Sequence, residues 1–242
     1  MNIEEDIWKA CETGNISRVR ELVPYSVSVN EKGESGWTPL AHAICEGHLD
    51  VVKYLVSQGA NLLCCTVSNQ SALHIACFPA RIEMMEYLIL QGKLMVIDLL
   101  SVKDDRNWVP LRLAICNRQV KEAEYLILQA KSMGFDIVSM INEKDIYENG
   151  HLSSVYRYNW EARMEMMEML ITYGADVNEI NETRDTLLRK VFYEDQEVAR
   201  LLITHGADCS KLFEEFERDG AEDFKNMLEG LIVEELGKRI KG

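Results

Sequence analysis

Residues Trp37 to Asn61 read W-T-P-L-A-H-A-I-C-E-G-H-L-D-V-V-K-Y-L-V-S-Q-G-A-N. Leu40, Ala43 and Ile44 place small or apolar side chains on one face of a short helix, which Gly47 breaks. Leu49, Val52, Leu55 and Val56 then form a second apolar stripe at helical spacing, and Gly59 closes it by supplying the left-handed conformation a helix end favours. A helix pair this short buries its apolar faces only against neighbours of the same kind, so the stretch implies a stack of repeats.

The rest of the chain contains those neighbours. Leu40 and Leu55, fifteen residues apart, mark the first and second helix of the clear copy, and the same separation joins Leu73 to Leu88, Leu111 to Leu126, Val155 to Leu170 and Leu187 to Leu202. Ile7 with Leu22 and Phe213 with Leu228 extend the pattern to both ends, making about seven helix pairs. The steps between first anchors are 33, 33, 38, 44, 32 and 26 residues. A constant fifteen beside a variable step means that the helix pair is fixed and insertions fall in the connections. Gly14 and Gly220 echo the break at Gly47, and Gly92, Gly174 and Gly206 echo the stop at Gly59. The expected units are about 3–35, 36–68, 69–106, 107–150, 151–182, 183–209 and 210–230, with a closing helix towards 242, in one domain over 1–242.

T-P-L with G-H-L-D-V-V-K-Y-L-V-S-Q-G-A-N resembles the ankyrin repeat, as do S-A-L-H-I-A-C from Ser71, L-I-T-Y-G-A-D-V-N from Leu170 and L-I-T-H-G-A-D from Leu202. I-W-K-A-C-E-T-G-N resembles an ankyrin N-terminal cap. The match covers about residues 3–230 and weakens in 105–160, where Val109-Pro110 keeps part of T-P-L and Ser153-Ser154 has lost it. The resemblance implies an all-α, ankyrin-type helical-repeat solenoid. Each unit would project a hairpin loop, the terminal units would act as caps, and the stack would offer a concave binding face.

Composition narrows the partner. The formal net charge of −14 is spread along the chain and is heavier at both ends, whereas phosphate binding needs a basic footprint. Nucleic acid and anionic membrane surfaces are therefore not expected as partners. A basic protein partner would be attracted, and the same charge would keep the free chain soluble and monomeric. No apolar run approaches the roughly 18–20 residues that span a membrane, and the acidic M-N-I-E-E-D start is unlike a signal peptide. Seven cysteines without a C-x-x-C pair suit reduced thiols in the cytoplasm, or in a host cytosol for a secreted effector.

Catalytic patterns are missing. There is no G-x-x-x-x-G-K-[ST], G-x-G-x-x-G, H-E-x-x-H or G-x-S-x-G, and neither cofactor nor metal is expected. His74 stands where the family motif ties the hairpin turn to the helix start, while His48 and His205 lie at helix ends. Asn178 resembles asparagines hydroxylated in ankyrin repeats of animal cells, although a turn role accounts for it as well.

By the repeat register, Trp37, Gln70, Trp108, Leu152 and Arg184 lie on hairpins, three positions before each anchor. Glu46, Phe78, Asn117, Trp160, Glu161, Phe192 and Tyr193 lie at the ends of first helices. Family consensus leaves these positions variable, so large aromatics there point to an interface, where truncations cost about 2–4 kcal/mol each. The competing reading is a shifted register in units 4–6 that leaves some of these rings in the stack. The protein-binding candidates are Trp37, Glu46, Gln70, Phe78, Trp108, Asn117, Trp160, Glu161, Phe192 and Tyr193. Trp8, one residue after its anchor, is expected to pack. The long connections after Gly92 and Ser132 contain apolar residues and are expected to cover second helices. The function expected is non-enzymatic binding of one protein partner, as an adaptor or a stoichiometric inhibitor such as a toxin-immunity protein or a microbial effector. The alternative is a structural or anchoring subunit of a larger assembly.

Overall fold

The structure is a computed structural model that describes residues 3–25, 28–63, 65–77, 81–146, 148–157, 161–180, 185–219 and 221–241. The described residues are helical, with one isolated antiparallel bridge between Ile180 and Thr186. They pack as two compact units, Met1–Phe135 and Asp136–Gly242.

The first unit holds α1 (Ile3–Glu12), α2 (Ile16–Leu22) with a 3-10 turn at Val23–Tyr25, α3 (Pro39–Glu46), α4 (Leu49–Ser57), α5 (Ala72–Ala76), α6 (Ile82–Leu94), α7 (Pro110–Cys116) and α8 (Val120–Ser132). Local chemistry sets the helix starts. Thr38 accepts from the Ala41 amide at 3.2 Å, and Pro39 occupies the first turn, where its missing N–H costs nothing. Ser71 and His74 form a reciprocal capping box at α5. Val109 lends no side-chain cap, and Pro110 alone preorganises α7. Gly47 takes φ +80°, and an added Cβ would run into the Arg81 guanidinium that covers it.

The anchors Leu40, Leu55, Leu73, Leu88, Leu111 and Leu126 are all buried, with Ile44, Leu62, Met85 and Ile115 filling the spaces between them. Truncating any of these to alanine costs about 2–5 kcal/mol. Trp8 lies against Gly33, as expected of a packing residue. The helix that was expected to stop at Gly92 runs on to Leu94. Gly92 is buried inside it, and the chain folds back so that the Ile97 amide donates to the Gly92 carbonyl at 2.8 Å. The long connection is thus spent partly on extending α6.

The second unit holds α9 (Ile137–Ile141), α10 (His151–Tyr156), α11 (Arg163–Thr172), α12 (Leu187–Val191), α13 (Gln196–Thr204), α14 (Ser210–Asp219) and α15 (Glu222–Lys241). The connection after Ser132 forms α9, which buries Met140 and Ile141. Two registers differ from the sequence expectation. In the fifth repeat the hairpin closes between Asp145 and Asn149, and α10 starts at His151, so Leu152 is the first-helix anchor and is fully buried, not on a hairpin. Val155 is buried one turn further on. In the last repeat Leu212 and Phe216 face inward at i, i+4, while Phe213 is only half-buried.

Candidate protein-binding face

Hairpins close the base of successive first helices with one recurring backbone bond. The Gly33 amide donates to the Trp37 carbonyl at 3.0 Å, Cys65 to Gln70 at 2.9 Å, Asp104 to Trp108 at 3.0 Å and Asp145 to Asn149 at 3.2 Å. Within the first unit, neighbouring hairpins are tied together. The Thr38 amide reaches the Cys65 carbonyl at 3.0 Å, Lys32 Nζ the Thr66 carbonyl at 2.6 Å, and Asn69 Nδ2 the Asp105 carboxylate at 2.6 Å. Asn69 and Asn107 adopt positive φ, which asparagine tolerates better than most residues. The side chains on this edge are therefore held by a braced backbone.

Trp37 is half-buried, its ring 5.5 Å from that of His42, whose Nε2 lies 3.4 Å from Ser35 Oγ. Burial holds His42 below the ordinary histidine pKa. Trp108 is more constrained than a bare loop tip. Arg106 stacks 3.8 Å from its ring centroid, Arg112 lies 5.6 Å away, and Asp104 accepts from the Trp108 amide and from the Arg106 guanidinium. His74 Nδ1 accepts from the Ser71 amide, the tie between hairpin turn and helix start that the family motif implied, while its Nε2 lies 2.8 Å from the Trp108 carbonyl and joins the next hairpin to this repeat. Glu46 is exposed, Gln70 is half-buried, and Asn117 donates to the Cys77 carbonyl at 3.4 Å.

In the second unit Phe192 is not a surface residue. It is fully buried, because the last turn of α12 points it at Phe216 of α14, 5.5 Å away. Tyr193 is half exposed and meets Phe192 edge-on at 5.3 Å. Glu161 is exposed, but the three-residue register change places it in the turn before α11 and not at the end of a first helix. Phe78, Trp160 and Arg184 lie outside the described residues. The face of the first unit therefore carries Trp37, Glu46, Gln70, Trp108 and Asn117, and that of the second unit Tyr193.

Several residues escaped the sequence reading. Tyr156 donates to Glu194 at 2.9 Å beneath Lys190, and burial, reinforced by that carboxylate, pushes its hydroxyl up to about 12. Arg163 pairs with Asp195 at 2.5 Å. Arg189 is held by Glu215 and Asp185, which raise its pKa. Asparagines Asn30, Asn142 and Asn178 each clamp the following repeat: Oδ1 accepts from the amides of Asn61, Asp176 and Asp208, and Nδ2 donates to the carbonyls of Gly59, Gly174 and Gly206. The recurring apolar-Asn-Glu of Val29-Asn30-Glu31, Ile141-Asn142-Glu143 and Val177-Asn178-Glu179 was the available signal. Asn178 thus has a bracing role at this position.

Among the described residues no group of three or more His, Cys, Asp or Glu side chains is placed to hold a metal ion. No described helix is long and apolar enough to cross a membrane. Burial raises the thiol pKa of Cys11 to about 12 and that of Cys77 further, so these buried cysteines are poor nucleophiles.

Comparison with known proteins gives a consistent picture. Residues 7–64 match the family described as ankyrin repeats in three copies, and residues 41–89 match ankyrin repeats in many copies. Notch-regulated ankyrin repeat-containing protein A from Danio rerio is 33% identical over 89 residues, which is 35% of this chain and 80% of that protein. Protein phosphatase 1 regulatory subunit 27 from Homo sapiens is 40% identical over 53 residues, and the chain spans 34% of its length. A chain in the solved structure of a predatory endopeptidase from Bdellovibrio bacteriovorus in complex with an immunity protein superimposes with a TM-score of 0.63. It is 28% identical, and the match covers 81% of this chain and 96% of that one.

Proposed function

Because the chain belongs to the ankyrin-repeat family, we propose that it is a non-enzymatic binding protein that holds one protein partner on the side built by its hairpins and first helices. Its role on this reading is that of a stoichiometric inhibitor of the immunity type, directed at a peptidase. The observation that carries this reading is the 28% identity over most of both chains with a component of an endopeptidase–immunity complex. The net charge of −14 supports a basic partner, drawn in by long-range attraction.

Trp37, Glu46, Gln70, Trp108 and Asn117 form the proposed contact set of the first unit, and Tyr193 is the proposed contact of the second. Phe78 joins the first set on sequence register alone, an argument that the register change of the fifth repeat removes for Trp160. Residues 1–242 would serve as one ankyrin-repeat domain, monomeric when free and at work in the cytoplasm. A second reading, a subunit built permanently into a larger assembly, is favoured by the likeness to a phosphatase regulatory subunit over 53 residues.

The test is affinity capture with the tagged full chain from the cells that make it. The inhibitor reading expects one dominant partner in a one-to-one complex, with its activity suppressed. The double variant Trp37→Ala, Tyr193→Ala should keep its helical spectrum and bind at least about tenfold more weakly, equivalent to about 1.4 kcal/mol. A multi-subunit complex that cannot be stripped without unfolding the chain would favour the anchoring role. A partner held equally well by the double variant would place binding elsewhere.

A further inference from the structure

Asn149 takes the hairpin position that Trp37, Gln70 and Trp108 hold in earlier repeats, since its carbonyl accepts the bond that closes the hairpin. Gly150 follows it, and this is the one Asn-Gly step in the chain. The side-chain amide of an asparagine is open to attack by the backbone nitrogen of the next residue. The attack is slow where that residue carries a side chain, which crowds the approach, or where its N–H is held in a hydrogen bond. Asparagines elsewhere in the chain are protected on both counts. The amides after Asn15, Asn30, Asn69, Asn107, Asn117 and Asn178 belong to residues with side chains, and each is hydrogen-bonded at 2.9–3.2 Å. The Gly150 amide donates to no protein group among the described residues. Glycine is also required there, because a Cβ would overlap the Glu179 carboxylate, so the fold keeps the labile step in place.

The surroundings make conversion consequential. Asn149 donates to Asp145 Oδ1 twice, from its backbone amide at 2.9 Å and from Nδ2 at 3.3 Å, and Asp145 is buried. Gly150 is the residue that opens α10, where Glu179 holds the Ser153 amide at 2.8 Å. We propose that Asn149-Gly150 is a site of spontaneous deamidation in the folded protein, and that its conversion loosens the start of α10. The Gly150 nitrogen bonds to the side-chain carbonyl carbon of Asn149. The side-chain nitrogen leaves as ammonia, taking the proton of the Gly150 amide with it, and a cyclic succinimide remains. Water then opens either carbonyl of the ring, giving aspartate or isoaspartate, and nothing is oxidised or reduced. Either product exchanges the Nδ2 donor for a carboxylate set against buried Asp145, where like charges repel. Isoaspartate also adds a methylene to the backbone just before Gly150, which shifts the helix start relative to Glu179. The site does not depend on the inhibitor reading.

The experiment incubates the full chain at mildly alkaline pH and follows each asparagine by peptide mapping, with isoaspartate scored separately. Asn149 is expected to convert at least about tenfold faster than any other asparagine, and Asn149→Gln to give no product at that position. Asn149→Asp should lower hydrogen-exchange protection of amides 151–156 by at least about tenfold. Aged wild-type chain, set against fresh chain, gives the same reading should that variant not fold. Another asparagine converting first would overturn the proposal. So would an intact Asn149 at the time a synthetic peptide of residues 145–153 has converted, or unchanged protection of 151–156 in the folded aspartate variant.

Discussion

At Thr38 and Ser71 the first helix of a repeat is capped from within its own sequence, by a hydroxyl three residues ahead of the amide it serves. At Gly150 that hydroxyl is missing, and the Ser153 amide is served from 26 residues downstream. Glu179, on the following hairpin, accepts from both the amide and the hydroxyl of Ser153. The glycine makes room, since a Cβ there would overlap the Glu179 carboxylate. The two regions keep the same architecture by different means. In the clear repeats the side-chain cap is local, and the neighbouring hairpins only brace it. In the fifth repeat the helix start depends on its neighbour, so damage to the sixth hairpin is felt in the fifth first helix.

The largest effect expected is common to both regions and tests what they share. Leu55→Ala and Leu170→Ala each remove a fully buried anchor and should cost about 2–5 kcal/mol in denaturant melts. A loss below about 0.5 kcal/mol at either position would mean that the repeat register is misplaced there.

Next comes the cap itself. Glu179→Ala leaves the Ser153 amide and hydroxyl without that carboxylate and should cost about 1–3 kcal/mol, while Thr38→Ala should cost about 1 kcal/mol. Protection of amides 151–156 from hydrogen exchange should fall in the Glu179 variant although the substitution lies in another repeat. If Thr38→Ala proves the more costly, the borrowed cap is ornamental and the comparison fails.

The smallest effect is a pH dependence confined to the clear region. His74 is buried and its pKa is lowered, mainly by desolvation, with the Trp108 carbonyl and Asp104 opposing and Arg106 adding to the shift. Its Nδ1 accepts from the Ser71 amide, so protonation would set donor against donor. The unfolded chain takes the proton more readily than the folded one. Stability from this site is therefore complete above about pH 6.5 and declines as pH falls below it. His74→Gln should flatten the stability–pH curve between about pH 7 and 5 relative to the wild-type chain. Curves that stay parallel would show that His74 titrates alike in both states.

The helix pairs were legible because apolar spacing reports burial directly, and nearly every anchor lies where the spacing put it. The exceptions have a common cause. Val155 and Phe213 were chosen by keeping fifteen residues to the second anchor. In those repeats the first helix or its connection changes length, so Leu152 opens the fifth first helix with Val155 buried one turn on, and Leu212 is buried in place of Phe213. The surface set was less legible. Position alone could not tell that Phe192 turns inward towards Phe216, a neighbour remote in sequence, whereas Arg106 and Arg112, which pack about Trp108, are local to its hairpin. The asparagine clamps do leave a sequence signal, the apolar-Asn-Glu recurrence at residues 29–31, 141–143 and 177–179.

The hairpin side is the proposed seat of the protein partner. Hydrogen–deuterium exchange on the captured complex, set against the free chain, tests it most directly. The account predicts added protection in the hairpins around residues 33–37, 66–70 and 103–108 and at Tyr193, with the free-chain pattern kept over α11 and α13. Protection confined to second helices, with the hairpins exchanging as they do in the free chain, would contradict it.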